Sequence, residues 1–281
     1  DLAVANDTHF ITRAAKRALR RDKDPALTQE LVDQVRKYKR FYRMGLGQED
    51  LDRAAAASSR YSEFVSRLYT LRAEKLGKTL SGEKTPDFCR QLPILNGLFP
   101  EAKFVHTVRD GRDTGMSAVN WATPTKGPGK WEWWSYDAIA CSALWWCWQT
   151  HSGIRDGRRL GGALYHELKY EDLVADAPRV LSSVADFLEI PDSENMARYF
   201  EGRTRKNPNL SAKSAWLPPT SGLRDWRTQM DEEDLAVFEG IAFELLDLLD
   251  YEFGGTPPSR RATARMDRAL AWWDSQPMSE S

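Results

Sequence analysis

The stretch FPEAKFVHTVRDGRDTGMSAVN, residues 99–120, decides how the rest of the chain is read. From Lys103 to Arg109 it is a run of β-branched and aromatic residues, the composition of a buried strand. Asp110-Gly111-Arg112-Asp113 then makes a tight loop, and Asp113 can cap a helix running through Ser117 to Asn120. A strand that turns directly into a helix leaves free backbone N–H groups at the carboxyl edge of a sheet, where anions bind. Arg109 stands at that edge, and Ser117 follows one to two helical turns on. A guanidinium and a hydroxyl converging on one spot suit a phosphate. The same residues also read as a surface salt-bridge cluster of Arg109, Asp110, Arg112 and Asp113.

Working outward, Trp121 to Trp134 reads as an exposed loop rich in Pro, Gly, Lys and Trp. Tyr136 to His151 reads as an aromatic-lined helix. Ala163 to Tyr170 is a second strand, and Asp176 caps a helix with Val180, Leu181, Val184, Phe187 and Leu188 on one side. Asn207 to Arg227 is irregular. Asp231 starts an amphipathic helix, and after Gly254-Gly-Thr-Pro-Pro258 the tail turns basic and helical. Upstream, Asp1 to Ile11 reads as a short strand entering a helix near Ile11–Arg20. Thr28 to Tyr42 has helical spacing. Glu49 to Leu76, Ala-rich and free of Pro and Gly, reads as one long helix. Gly82 to Pro86 reads as a turn, and Leu92 to Leu98 as a short helix. Strands alternating with helices predict an α/β fold with a largely parallel sheet. No repeat and no linker interrupts the 281 residues, so one domain is expected.

Composition bounds the function. The formal net charge of −1 gives no global basic field, which argues against a general nucleic-acid binder. The three cysteines, Cys89, Cys141 and Cys147, lack CxxC spacing. They read as buried thiols in a reducing, cytoplasmic compartment rather than a disulfide framework or zinc site. No HExxH, CxxC or EF-hand pattern suggests a metal. No apolar run approaches the roughly 20 residues of a membrane helix, and no signal peptide is visible.

Residues 99–120 resemble the 3′-phosphate-binding segment of PAPS-dependent sulfotransferases, where PAPS is 3′-phosphoadenosine 5′-phosphosulfate. In that family a strand ends in Arg and a Ser eight residues later completes the grip, the spacing of Arg109 and Ser117. GEKTPDF is similar to the segment that supplies a catalytic lysine, here Lys84, in the protein-tyrosine sulfotransferase branch and its bacterial relatives. LKYEDLVADAPRVLSSVADFLEIP resembles the family's strand–Tyr–helix unit, which puts Tyr170 near the adenine. TSGLRDWRTQM resembles the late loop that closes over the nucleotide. These segments occur in the family's order from Gly82 to Met230. The resemblance implies a P-loop NTPase-like three-layer fold, with a mostly parallel central sheet flanked by helices. It also implies sulfuryl transfer from PAPS to a hydroxyl, phenol or amine acceptor by in-line displacement, leaving 3′,5′-ADP.

Such a transfer needs positioning, charge stabilisation and a base, and no metal in principle. Lys84 is expected at the bridging oxygen; as a bare lysine it also reads as an ordinary surface residue. NDTHFI is similar to the segment of tyrosine-type enzymes in which a glutamate precedes Thr, which makes Asp7 the expected base, one methylene shorter. Asp7 also reads as a helix cap, and His9 is the rival base. Arg224 and Arg227 are candidates for late-loop phosphate contacts, with Arg224 preferred; Ser214 and Ser221 could add hydroxyls. Trp145 and Trp148 read as packing residues. Trp131, Trp133 and Trp134 read as lining an acceptor pocket.

The family's Gly/Ser/Thr-rich phosphate loop, of the type PRSGTT, is absent. Gly127-Pro-Gly-Lys130 is a decoy, since Trp131 follows it. The expectation is an N-terminally truncated sulfotransferase domain, lacking its first strand and loop, with residues 256–281 as a basic helical tail and little turnover as it stands. The acceptor, whether small molecule, sugar, lipid or peptide tyrosine, and the oligomeric state are not readable. The alternative is a non-catalytic relative that binds a glycan or peptide in an aromatic cleft; it would have no reason to keep Lys84, Arg109 and Ser117 together.

Overall fold

The computed structural model describes residues 2–119, 132–191, 194–198, 201, 224–255 and 257–276. The chain divides into two compact units, Asp1–Ala102 and Lys103–Ser281.

In the first unit, β1 (Leu2–Asn6) leads into two short helices, α1 (Phe10–Arg13) and α2 (Lys16–Leu19). They are followed by α3 (Gln29–Lys37), a 3-10 segment over Lys39–Met44, α4 (Gln48–Ala56) and α5 (Tyr61–Lys75). Then come β2 (Leu80–Lys84), a 3-10 turn over Pro86–Arg90 and α6 (Leu92–Leu98). Strands β1 and β2 pair in parallel, from Leu2 opposite Leu80 to Asn6 opposite Lys84. Alternation along β1 buries Ala3 and Ala5 and exposes Val4. Phe10, Val35, Phe41, Leu51, Tyr61, Phe64 and Leu68 fill the core.

Two expectations change here. The single helix over 49–76 is broken at Ala57–Arg60. The Ser58 hydroxyl bonds back to the Ala54 carbonyl at 2.8 Å. Glu63 accepts from the Ser59 and Arg60 N–H groups, so a new helix is capped where the old one ends. Gly82 to Lys84 belongs to β2 instead of a turn: Gly82 lies opposite Val4, and pairing to β1 overrides the local preference.

The second unit opens with β3 (Phe104–Val108) and α7 (Gly111–Val119). Next are α8 (Ala138–Leu160), β4 (Tyr165–Lys169), α9 (Tyr170–Ala175), α10 (Ala177–Leu188) and α11 (Glu194–Ala197). The last helices are α12 (Trp226–Gln229), α13 (Glu232–Leu248) and α14 (Arg260–Ser275). Strands β3 and β4 pair in parallel with Val108 opposite Lys169. The expected caps hold, with Asp176 accepting from Arg179 N–H and Asp231 from Asp234 N–H. Asp113, however, lies inside α7; it is Asp110 that accepts from the Arg112 N–H, at 2.9 Å. Strand β3 is half-buried, with Val105 exposed and Val108 in the core.

The core of this unit joins Ile139, Leu144 and Trp146 of α8 to Val237, Phe238 and Leu246 of α13, with Ala262 and Ala269 of α14 packed in. The basic tail is therefore part of the unit's packing. Arg265 fixes it through Asp137, Glu233 and Asp234. Trp134 is 5% exposed and packs on Ala118 and Cys141. Its expected pocket role gives way to a core role, because an indole gains more from full burial than from half-exposure. Trp133 stacks on Trp272 at 6.0 Å. Trp121, Trp131 and the Gly127–Lys130 stretch lie outside the described residues. Among the described residues no helix is long and apolar enough to cross a membrane. None of the three cysteines is in a disulfide.

Candidate active site

The parallel pairing of β1 and β2 brings both carboxyl ends to one edge of the first unit. The Asp7 N–H donates to the Lys84 carbonyl at 2.8 Å, extending the ladder one residue past the strand. Asp7 and Lys84 are thus neighbours through backbone geometry. The chain then passes through two left-handed, non-glycine residues, Asp7 at φ 56° and His9 at φ 57°. Such strain persists only where the surroundings impose it. Here Thr8 is fully buried and its N–H donates to Glu83 Oε1 at 3.0 Å. Tyr69 and Thr85 hold the same Glu83 carboxylate.

The Asp7 carboxylate collects three donors. His9 Nε2 lies 2.6 Å from Oδ1, and Arg43 Nη1 donates to Oδ2 at 2.7 Å. Arg40 Nη1 reaches Oδ2 at 3.4 Å. Burial pushes the Asp7 carboxyl up, but Arg43, His9 and Arg40 together bring it below its ordinary value. It is ionised at neutral pH and able to accept a proton. Arg40 and Arg43 belong to no motif in the sequence. The only sequence signal for them is the basic run KYKRFYR over residues 37–43.

His9 is 5% exposed, whereas the Asp7 side chain is 34% exposed. Burial, and then Arg13, hold the His9 imidazole below its ordinary pKa against the pull of Asp7 and Asp87. Its two ring nitrogens face two carboxylates, Asp7 at 2.6 Å and Asp87 at 3.4 Å. No lone pair is turned to solvent. Lys84 is exposed, and its ammonium has no ion-pair partner among the described residues.

In the second unit the register that sets Val108 opposite Lys169 makes Arg109 and Tyr170 the next residues out at the same strand edge. The Arg109 guanidinium lies 4.6 Å from the Tyr170 ring centroid, a cation–π stack. Arg109 Nη2 donates to Asp113 Oδ2 at 3.2 Å. Its Nε is buried with no hydrogen-bond partner among the described residues, a donor that an anion's oxygen would satisfy. Arg109, Asp113 and Ser117 are four residues apart in turn, which aligns Asp113 and Ser117 along one face of α7. The half-buried Ser117 hydroxyl is in no hydrogen bond among the described residues.

Beneath this edge lies a buried knot. Arg112 is fully buried and forks onto Asp110 at 3.0 and 2.8 Å. It also bonds Glu239, and its guanidinium lies 3.7 Å from the Trp226 ring centroid. Trp226 donates from its indole to Asp110 at 3.1 Å and from its backbone to Asp113 Oδ1 at 3.0 Å. Asp110 and Arg112 are therefore interior, which replaces the reading of a surface cluster. The knot sets α12 against the Arg109 turn.

Arg224 is exposed and lines an open pocket of about 400 Å³ with Met116, Val119, Met230 and Asp231. Among the described residues Asp113 is held by Arg109 and the Trp226 N–H and not by Arg224. Arg227 is engaged by Glu252, with Nε at 2.6 Å, and stacks on Trp226. Ser214 and Ser221 lie outside the described residues. Among the described residues no group of three or more acidic, His or Cys side chains could hold a metal ion.

The sequence profile of the sulfotransferase family matches residues 3–194, more than half of the chain. This chain belongs to the sulfotransferase family. Two solved structures share the sulfotransferase's fold. The sulfotransferase domain from the curacin biosynthetic pathway aligns with a TM-score of 0.58 and 17% identity, over 88% of each chain. The sulfotransferase domain from the Synechococcus PCC 7002 olefin synthase aligns at 0.57 and 19% identity, over 90% of this chain and 94% of that one. No curated protein sequence matches.

Proposed function

We propose that this sulfotransferase takes its sulfuryl group from PAPS and passes it to a hydroxyl-bearing acceptor by in-line displacement. The observation that carries the reading is the strand edge at which Arg109 stacks on Tyr170 with an unsatisfied Nε buried beside it. A guanidinium with a spare donor suits the 3′-phosphate, with Ser117 as a second contact. The half-buried Tyr170 ring suits the adenine. Arg224 contributes as a loose outer cation, a role that the engagement of Arg227 with Glu252 leaves to it.

The acceptor oxygen attacks sulfur while the bond from sulfur to the bridging oxygen breaks. The electron pair stays on the bridging oxygen of 3′,5′-ADP, and the acceptor's proton goes to Asp7. Lys84 neutralises the charge that builds on the leaving oxygen. Asp7 is a weak base, so the proton moves as the acceptor oxygen becomes acidic on bonding to sulfur. Its exposure, against the burial of His9, supports Asp7 as the group an acceptor reaches. Each unit holds its own two-stranded parallel sheet, β1 with β2 and β3 with β4, and the parallel pairing suits the P-loop-like fold of a sulfotransferase domain with residues 256–281 as its basic tail. Thiols kept out of disulfides suit the cytoplasm.

Calorimetric titration of 3′,5′-ADP into the protein tests the donor site. Binding tighter than that of 5′-AMP is expected, weakened at least about tenfold by Arg109→Ala. 5′-AMP, which lacks the 3′-phosphate, should bind both proteins equally weakly. A folded protein that binds 3′,5′-ADP no better than 5′-AMP would sink the reading.

A further inference from the structure

His9 is a buried imidazole that no substrate can reach, yet it makes the shortest contact to Asp7. Its surroundings come from four elements. Asp7 at the end of β1 faces Nε2, and Asp87 in the Pro86–Arg90 turn faces Nδ1. Arg13 of α1 and Arg90 hold Asp87 from behind. Arg40 and Arg43, from the Lys39–Met44 segment, hold the far side of Asp7. Arg13 and Asp87 thus stand behind the ring, and the one hydrogen bond the ring makes among the described residues is to the exposed Asp7 carboxylate.

We propose that His9 is the positioning residue of Asp7: its buried ring, donating from Nε2, holds Asp7 Oδ1 so that the free lone pairs of the carboxylate face the acceptor. The proposal rests on the reading of Asp7 as the base. A neutral imidazole has one N–H, and the two distances assign it to the nitrogen 2.6 Å from Asp7. That bond fixes the plane of the carboxylate and stabilises its ionised form. The left-handed backbone at His9 is the cost of turning the ring onto Asp7.

Two conservative variants separate positioning from mere structure. The amide of Gln stands near the place of Nε2 and still reaches Asp7. The amide of Asn stands near the place of Nδ1 and reaches only Asp87. Asn also tolerates the left-handed backbone better than Gln or His. A purely structural role therefore predicts that His9→Asn is the better tolerated variant. Positioning predicts the reverse at Asp7.

The experiment follows the Asp7 side-chain carboxyl by carbon NMR on aspartate-labelled protein, assigned by its loss in Asp7→Asn. His9→Gln should titrate close to wild type. In His9→Asn the Asp7 carboxyl should titrate about one pH unit higher, having lost a donor to its ionised form. Release of 3′,5′-ADP from PAPS, with p-nitrophenol as probe acceptor, should fall about tenfold in kcat in His9→Asn, with the affinity for 3′,5′-ADP unchanged. An Asp7 titration that is the same in wild type and both variants overturns the proposal. Turnover that survives Asp7→Asn removes the base reading instead, and is distinguishable because the titrations do not depend on turnover.

Discussion

Asp113 occupies the guanidinium of Arg109, with Oδ2 3.2 Å from Nη2, so the cation proposed for the donor's phosphate already carries a carboxylate. An arriving phosphate has to share or displace it. Burial pushes the Asp113 carboxyl up, and the attraction of Arg109 offsets only part of that rise. Asp113 therefore protonates earlier than an ordinary aspartate as pH falls, and its competition for Arg109 ends there. Asp113→Asn keeps an oxygen for the Trp226 N–H but removes the charge. It should tighten 3′,5′-ADP about fivefold at neutral pH, the scale of one partly buried charge contact. The ratio of wild-type to variant dissociation constants should shrink toward one as the solution is acidified. Titration calorimetry at several pH values reads that ratio, and a ratio independent of pH would remove Asp113 as competitor.

Arg112 supports the same turn from below. Replacing it with Ala strands Asp110 and Glu239, two buried carboxylates, without their shared cation. Breaking one side of a buried ion pair costs about 3–5 kcal/mol. Arg112→Ala should lower the stability of the second unit by that order, read as the loss of tryptophan fluorescence in urea. A variant that unfolds at the wild-type midpoint would show that the knot contributes nothing net.

Local chemistry made part of this architecture legible in advance. The strand before Arg109, the helix after it, and the caps at Asp176 and Asp231 all rest on patterns within a few residues. What stayed hidden depends on long-range pairing. Asp113 meets the Trp226 N–H across 113 residues, and Arg112 meets Glu239 across 127. No periodicity encodes those encounters. Strand β2 read as a turn because Gly82 and Pro86 punctuate it, whereas its pairing to β1 is tertiary. The break in the helix over 49–76 had a visible signal in Ser58, Ser59 and Glu63, outweighed by the Ala-rich run around it. In the first unit, NDTHFI ranked Asp7 above His9 by its register alone; that His9 is buried and Asp7 partly exposed depends on tertiary packing that the motif does not carry.

Gly111 couples the core to the donor edge. A Cβ there would enter the ring of Trp146, whose indole N–H donates to the Arg109 carbonyl at 3.1 Å. Gly111→Ala forces the ring aside and releases that carbonyl. Overpacking of this kind costs about 1–3 kcal/mol. The variant should fold with reduced stability and bind 3′,5′-ADP about tenfold more weakly, since displacing Arg109 removes a charge-assisted contact. Wild-type affinity in Gly111→Ala would show that Arg109 does not depend on this packing.

Acid should weaken the two units through different histidines. Burial is the main cause holding His9 and His106 below the ordinary histidine value. Each folded pKa lies below the unfolded one, so the stability each contributes is present above about pH 6.5 and is lost as pH falls toward the folded value. In that window each should remove about 1.4 kcal/mol per pH unit. Asp7 and Asp87 are also lowered, against the upward push of burial, by Arg43 and by Arg90 respectively. Their contribution is lost only in stronger acid, below the ordinary aspartate range. All 11 tryptophans follow residue 120, so tryptophan fluorescence reads the second unit and far-ultraviolet circular dichroism reads both. His106→Gln should flatten the pH dependence of the fluorescence midpoint between pH 7 and 5. His9→Gln should flatten that of the dichroism midpoint and leave the fluorescence slope unchanged. Slopes are the readout because the left-handed backbone at residue 9 alters the absolute stability of any variant there. If neither slope changes, the two imidazoles titrate alike in the folded and unfolded chain, and the acid response belongs to other groups.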